Sequence, residues 1–281
     1  MLRFKRRETP GPERPPTCAT HDTLSTMKHV SRWNRIGLGL LALLGALALV
    51  IQLSGHGYLW RAIAATYLQG HATAHIDDAS NFPSRDIAAG TPQPWTPSPH
   101  YNQAPLPDEL RNYLTHYGSA AFVVVHRGQL LHESYFAPYD AHSRTNSFSV
   151  AKTITTLQVG LAVQQGYISS FDAPLTEQLP EYARDARGQQ ATLAQLSSMK
   201  AGHDWTENYY LPWNITTDLY FGEHAAELVL SRGFEREPGT EFEYSSGSTQ
   251  LLGVFLQRAL ASKSPGMTIS EHLSESWWKP L

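Results

Sequence analysis

Ala121-Phe122-Val123-Val124-Val125-His126-Arg127-Gly128-Gln129-Leu130-Leu131-His132-Glu133-Ser134-Tyr135-Phe136 reads as two strands joined by a tight turn. Both halves are rich in Val, Leu and aromatics, and Arg127-Gly128 supplies the short connection that a hairpin favours. Beyond the hairpin the pattern turns helical. From Ser149 onward Val150, Ile154, Leu157 and Leu161 fall on one helical face before Gly166, and further helices are expected over 192–200, 223–232 and 248–261. In the last of these Leu252, Phe255, Leu256, Ala259 and Leu260 form one apolar stripe. A hairpin followed by a block of helices predicts an α+β domain, with helices inserted within or laid on an antiparallel sheet.

Ahead of the hairpin, Leu110, Tyr113, Leu114 and Tyr117 recur at helical spacing, so the folded domain is expected to span 106–281 with Tyr117 in its core. Seven of the 18 prolines lie from Pro83 to Pro107, where no helical or strand period survives. Residues 61–105 therefore read as a Pro-rich linker or wrapping arm. Residues 36–60 are 25 in number and lack Asp, Glu, Lys and Arg, which is close to bilayer length. Lys28, Arg32 and Arg35 precede them, so the positive-inside rule keeps the N-terminus in the cytoplasm and sends the remainder across. A cleaved signal peptide would share these features, and a chain starting at Met27 would have an ordinary n-region and h-region. Residues 1–35 read as a basic leader without periodic structure, its first part rich in Pro and Arg.

At 281 residues, 41% hydrophobic and 17% charged, the chain can form one sizeable domain plus appendages. Its single cysteine, Cys18, lies in the leader, so no disulfide framework exists. The net charge of −3 hides an asymmetry: residues 1–35 hold eight Lys/Arg against three Asp/Glu, the remainder 14 against 22. An acidic body repels phosphates, which argues against nucleic-acid binding. His71 and His75 have the spacing of a helix-borne metal pair but lack the Glu expected beside the first, so no metal is assigned, and no cofactor either.

Ser-x-x-Lys occurs four times, at Ser25 to Lys28, Ser149 to Lys152, Ser197 to Lys200 and Ser276 to Lys279. Only Ser149 begins a helix, where a hydroxyl and an ammonium three residues apart share one face. That places an activating base beside a weak nucleophile. The plainer reading is an N-cap serine with a solvated lysine. A tyrosine able to relay the proton would strengthen the first reading. Tyr-x-Ser occurs at Tyr117, Tyr167 and Tyr244. Tyr167 follows the far end of the Ser149 helix, roughly 27 Å away, and Tyr117 closes an amphipathic helix. Tyr244 sits on a loop between Pro238-Gly239-Thr240 and the helix opening near Ser248, where a side chain can enter a cleft.

Ser149-Val150-Ala151-Lys152 followed by Tyr244-Ser245-Ser246, within residues 238–247, resembles the β-lactamase-related serine hydrolases, in particular the class C β-lactamase and 6-aminohexanoate-dimer hydrolase branch. The likeness runs from about Leu106 to Leu281. It implies a β-lactamase/D,D-peptidase-like fold, an antiparallel sheet with flanking helices and a helical lobe, with the active site in the cleft between them. It also implies that Ser149 attacks a carbonyl, that Lys152 helps remove its proton, and that Tyr244 relays that proton to the leaving group; which of the two is the base stays open. Ser246 takes the third position of the family's Tyr-x-Asn or Tyr-x-Ser and would hydrogen-bond near the lysine. The backbone N–H of Ser149 would donate to the oxyanion. Residues 203–210 resemble the segment lining the substrate cleft in the dimer-hydrolase branch, with Tyr209 and Trp205 as substrate contacts; a loop pinned by buried aromatics would look the same.

The family's third motif, Lys-Thr-Gly or His-x-Gly, has no match before Leu281, so the sequence reads as a form that stops short of the last sheet strands. The function expected is a serine hydrolase of a small amide or ester, held at the bacterial inner membrane with its domain in the periplasm. The alternatives are a β-lactamase or D,D-peptidase, or an inactive truncated relative.

Overall fold

A computed structural model describes residues 23–209 and 211–281, without the side chains of residues 23–33. Cys18 and the Pro-rich part of the leader lie outside the described residues. Two units are divided between His56 and Gly57. The first contains α1 (Thr23–Leu53), whose stretch Asn34–Leu53 has 20 residues at a mean hydropathy of 2.5. Among the described residues it is the one helix long and apolar enough to cross a membrane. Two expected boundaries shift. The basic segment is helical from Thr23, since no proline follows Pro16 ahead of the apolar run. The helix stops at Leu53 instead of near Trp60, where Gly55 at φ +80° turns the chain.

In the second unit α2 (Tyr58–Ala65) buries Tyr58, Leu59, Ala62 and Ala65 along one face. It packs on α6 (Ile215–Phe221), so the segment expected to be a linker begins as a docked helix. The proline-rich stretch then wraps. The Asn146 N–H donates to the Ile76 carbonyl (2.7 Å), Ser274 Oγ to the Ala88 carbonyl (2.6 Å) and Gln93 Nε2 to the Pro280 carbonyl (3.2 Å). At Gly90 a Cβ would stand 2.0 Å from the Lys279 carbonyl oxygen, so this crossing demands glycine.

Thr96 and Pro97, inside the stretch with no readable period, form β1, which pairs in parallel with β3 (Gln129–Tyr135). β2 (Ala121–His126) runs antiparallel to β3 through a turn in which Arg127 and Gly128 both have positive φ, 51° and 76°. Two such residues match the right-handed twist of a hairpin. The sheet is therefore mixed, in the order β1-β3-β2, where a purely antiparallel one was expected. α3 (Asp108–His116) follows the arm, and Leu106, Leu110, Phe122, Val124 and Leu131 line an open hollow of about 520 Å³ between arm, helix and sheet. Tyr117 is exposed, contrary to its expected place in the core. The line facing inward is Leu106, Leu110 and Leu114, and Tyr113 and Tyr117 lie off it, their rings 4.7 Å apart and tilted by 50°.

The core belongs to a helical lobe of α4 (Val150–Gln164), α5 (Leu193–Ser197), α7 (Ala225–Leu230) and α8 (Ser246–Lys263). α8 buries Leu251, Leu252, Phe255, Leu256, Ala259 and Leu260 completely. Each of the large side chains contributes about 1.5–3 kcal/mol by leaving water. α4 turns a different face inward from the one its apolar spacing suggested: Gln158, Val159 and Ala162 are buried, while Val150 and Leu157 are exposed. Polar contacts set that orientation. Gln158 Nε2 donates to the Ile269 carbonyl (2.7 Å) and meets His272 Nδ1 (3.2 Å), both in α9 (Ile269–Leu273).

His203 is buried against Trp205 and Phe234, its Nε2 3.3 Å from the Val229 carbonyl and its Nδ1 without a partner. A carbonyl can only accept, so Nε2 carries the proton of a neutral ring. Burial depresses its pKa to about 4, the Val229 bond and Asp204 opposing that shift and Arg232 adding to it. The neutral form is the one that folds. Stability is therefore fully present above about pH 6.5 and declines as pH falls towards 4, by about 3 kcal/mol in all. Urea unfolding at pH 7 and pH 5 should show a loss of about 2 kcal/mol that His203→Phe reduces. An equal loss in both proteins would assign the acid sensitivity to other groups.

Candidate active site

Ser149 immediately precedes α4, and the first turn is wound tightly. The Val150, Ala151 and Lys152 amides each donate to the carbonyl three residues back, at 3.1 Å in every case. Such a turn nearly eclipses side chains three apart. Lys152 Nζ accordingly lies 3.1 Å from Ser149 Oγ. The serine makes no side-chain capping bond, which removes the plain N-cap reading. Its second partner comes from 95 residues later: the Tyr244 hydroxyl donates to Ser149 Oγ at 2.7 Å. Lys152 Nζ also lies 5.2 Å from the Tyr244 ring centroid, where a cation is attracted to the ring face. Ser149, Lys152 and Tyr244 thus form one cluster, open to solvent at Ser149 and Tyr244.

Phe148, directly before the serine, has φ +45°, a conformation costly for a side-chain-bearing residue. Contacts around it hold the turn. Its ring stacks on Tyr220 (6.2 Å, 8°), Phe82 of the arm meets Tyr220 edge-on (5.0 Å), and Asn146 Nδ2 donates to the Tyr220 hydroxyl (3.4 Å). Burial, with Asp78 nearby, raises the Tyr220 pKa above that of an ordinary phenol, so it stays a neutral strut.

On the other side of the cluster, Trp205 is only 4% exposed, and a Cβ on Gly247 would stand 2.3 Å from its indole. Expected as a substrate contact, it lies beneath the first turn of α8 instead, because the glycine lets the backbone cover it. Tyr209 is 63% exposed, and its hydroxyl donates to the Glu207 carboxylate. Burial of the hydroxyl, then the Glu207 bond, pushes its pKa far above the ordinary range. The Ser246 backbone N–H donates to Glu207, and no bond from Ser246 to Lys152 is found among the described residues. Sequence reasoning overlooked Glu207 and the Phe82–Tyr220–Phe148 contacts. The alternation of Trp205, Glu207 and Tyr209 in an extended stretch, which puts all three on one side, was a usable signal for the former.

Among the described residues no three His, Cys, Asp or Glu converge as a metal site. His71 and His75 are not helical; their rings stack at 4.1 Å, and His75 Nδ1 lies 3.2 Å from Asp77. The chemistry available is a hydroxyl flanked by an amine and a phenol, suited to nucleophilic attack on a carbonyl.

The family model described as Beta-lactamase matches residues 108–281. A 6-aminohexanoate-dimer hydrolase of Paenarthrobacter ureafaciens is 28% identical over 189 residues, 63% of this chain and 45% of that protein. Protein flp of Staphylococcus aureus (strain NCTC 8325 / PS 47) is 23% identical over 182 residues, 59% of this chain and 34% of that protein. A solved structure from Bacillus anthracis, provisionally named a 6-aminohexanoate-dimer hydrolase, shares the fold at a TM-score of 0.51 and 24% identity, covering 60% of this chain and 46% of that one. The chain spans less than half the length of each of these relatives.

Proposed function

The chain belongs to the Beta-lactamase family, and on that premise we propose that it is a serine hydrolase of small amides or esters working through an acyl-enzyme. The observation that carries the reading is the convergence on Ser149 Oγ of Lys152 Nζ (3.1 Å) and the Tyr244 hydroxyl (2.7 Å). Ser149 Oγ attacks the substrate carbonyl as its proton passes to Lys152 as the free amine or to Tyr244 as the phenolate. The Ser149 backbone N–H, at the start of α4, donates to the oxyanion that develops. Collapse of the intermediate breaks the bond to the leaving group, which takes a proton from Tyr244. Water then attacks the acyl ester, giving its proton to the same pair and restoring the serine. Tyr209, exposed at the edge of the cluster, is the side chain best placed to touch the substrate.

The relative named as a 6-aminohexanoate-dimer hydrolase supports a small amide as substrate. The family name supports a second reading, a β-lactamase or D,D-peptidase, since one nucleophile set can serve either substrate and the pocket lining decides between them. Intact mass after treatment with a fluorophosphonate and, separately, with a penicillin tests both. A single adduct with the fluorophosphonate alone supports the first reading, an adduct with each supports the second, and no adduct with either defeats both.

The apolar helix α1 with the basic residues before it supports residence at the bacterial inner membrane, the hydrolase domain facing the periplasm. Protease added to intact spheroplasts should then digest the chain beyond about residue 57. Protection until lysis would reverse the orientation.

A further inference from the structure

Glu207 ties together three groups that no other side chain connects to it in sequence. Its Oε1 accepts the Trp205 Nε1–H (3.1 Å) and the backbone N–H of Ser246, and its Oε2 accepts the Tyr209 hydroxyl. Ser246 opens α8, and its amide is one of the donors that the 18-residue helix cannot satisfy internally. A carboxylate there also complements the helix dipole. At the next residue, Gly247, the backbone lies so close to the Trp205 indole that no Cβ fits. The first turn of α8 is therefore pressed on an aromatic face and fastened by the carboxylate beside that face.

Tyr244 stands two residues ahead of the fastened amide. On its other flank the Glu243 N–H donates to the Met199 carbonyl (3.0 Å), so the tyrosine hangs between two fixed backbone points. Nearby Phe242 is 64% exposed and adds no packing of that kind. Ser245 closes only a local bond, its Oγ accepting the Ser248 N–H (3.0 Å). Release of the Ser246 end would let the loop pivot about Met199 and carry the phenol away from Ser149.

We infer that Glu207 is a positioning residue that holds the Tyr244 hydroxyl at hydrogen-bond distance from Ser149 Oγ, by fastening the start of α8 to the 205–209 segment. The inference rests on reading Ser149, Lys152 and Tyr244 as the reacting set. Glu207 touches neither the nucleophile nor the attacked carbonyl and acts through the Ser246 amide. Displacement of a reacting group by about 1 Å can cost about 100-fold in rate.

The test uses the full chain in detergent and a fluorophosphonate at several concentrations, with kinact, KI and the final labelled fraction measured for the wild type, E207Q and E207A. kinact should fall by about 10-fold in the isosteric E207Q, which keeps one acceptor oxygen, and by about 30- to 100-fold in E207A. The final labelled fraction should stay at its wild-type value, and any change in KI reports Tyr209, whose hydroxyl Glu207 also accepts. A purely structural role would lower the labelled fraction and leave kinact of the remaining folded protein unchanged. Labelling of the wild type at Ser149 with an unaltered kinact in E207Q overturns the inference alone, even where E207A fails to fold. Failure of the wild-type chain to label overturns the reading of Ser149, and this inference with it.

Discussion

Replacing Ser149 by alanine is expected to abolish labelling of the chain by a fluorophosphonate, a loss on the order of 10⁴-fold or more. Ser197→Ala and Ser276→Ala should label like the wild type. The four Ser-x-x-Lys sequences differ in what surrounds each hydroxyl. Ser197 Oγ is buried at the end of α5, out of reach of a reagent. Ser276 Oγ accepts from Gln165 Nε2 (3.1 Å), and Lys279 pairs with Glu275 instead of with the serine. Ser25 and Lys28 lie in α1, with side chains outside the described residues. Ser149 alone of the three whose side chains are described meets its lysine, and a tyrosine besides. Because its hydroxyl makes no capping bond, the substitution should alter stability by no more than about 0.5 kcal/mol. Loss of labelling by a normally folded protein would then be a chemical result. Persistent labelling in S149A would move the nucleophile elsewhere and remove the mechanism.

The parts of the fold legible in the sequence are those encoded over a few neighbouring residues. The Arg127-Gly128 turn, the stripe from Leu252 to Leu260 and the helix start at Thr192 are local, and they form where the pattern puts them. What escaped depends on partners distant in the chain. α4 rotates to present Gln158 to Ile269 and His272, over a hundred residues later, and no apolar count contains that information. The arm was opaque for a related reason. It is held by carbonyls at Ile76 and Ala88 and by a bare backbone at Gly90, and backbone contacts leave little trace in composition. In the candidate site, Ser149, Lys152 and Tyr244 carried a readable motif. Glu207 carried only its alternation with Trp205 and Tyr209, because the Ser246 amide it accepts from lies 39 residues away.

Lys152→Met and Tyr244→Phe should each lower the rate of Ser149 acylation by about 100- to 10,000-fold, the range over which one positioned acid-base group acts. Both groups bond one oxygen, and in the proposed mechanism they share the task of removing one proton. Methionine keeps the length and apolar stem of lysine without its charge, and phenylalanine keeps the ring that lies 5.2 Å from Nζ without the hydroxyl. The losses are therefore assignable to the lysine amino group and the phenol themselves. Groups that act as a unit do not contribute additively. The double variant should be no more than about tenfold slower than the slower single one, since once the relay is broken the second group has little left to transfer. Acylation rates from stopped-flow release of nitrophenol across the pH range would measure all three. Should the losses multiply, Lys152 and Tyr244 serve separate steps, and a shared proton is excluded. Should Tyr244→Phe retain the wild-type rate, the 2.7 Å bond is structural, and Lys152 alone remains as the base.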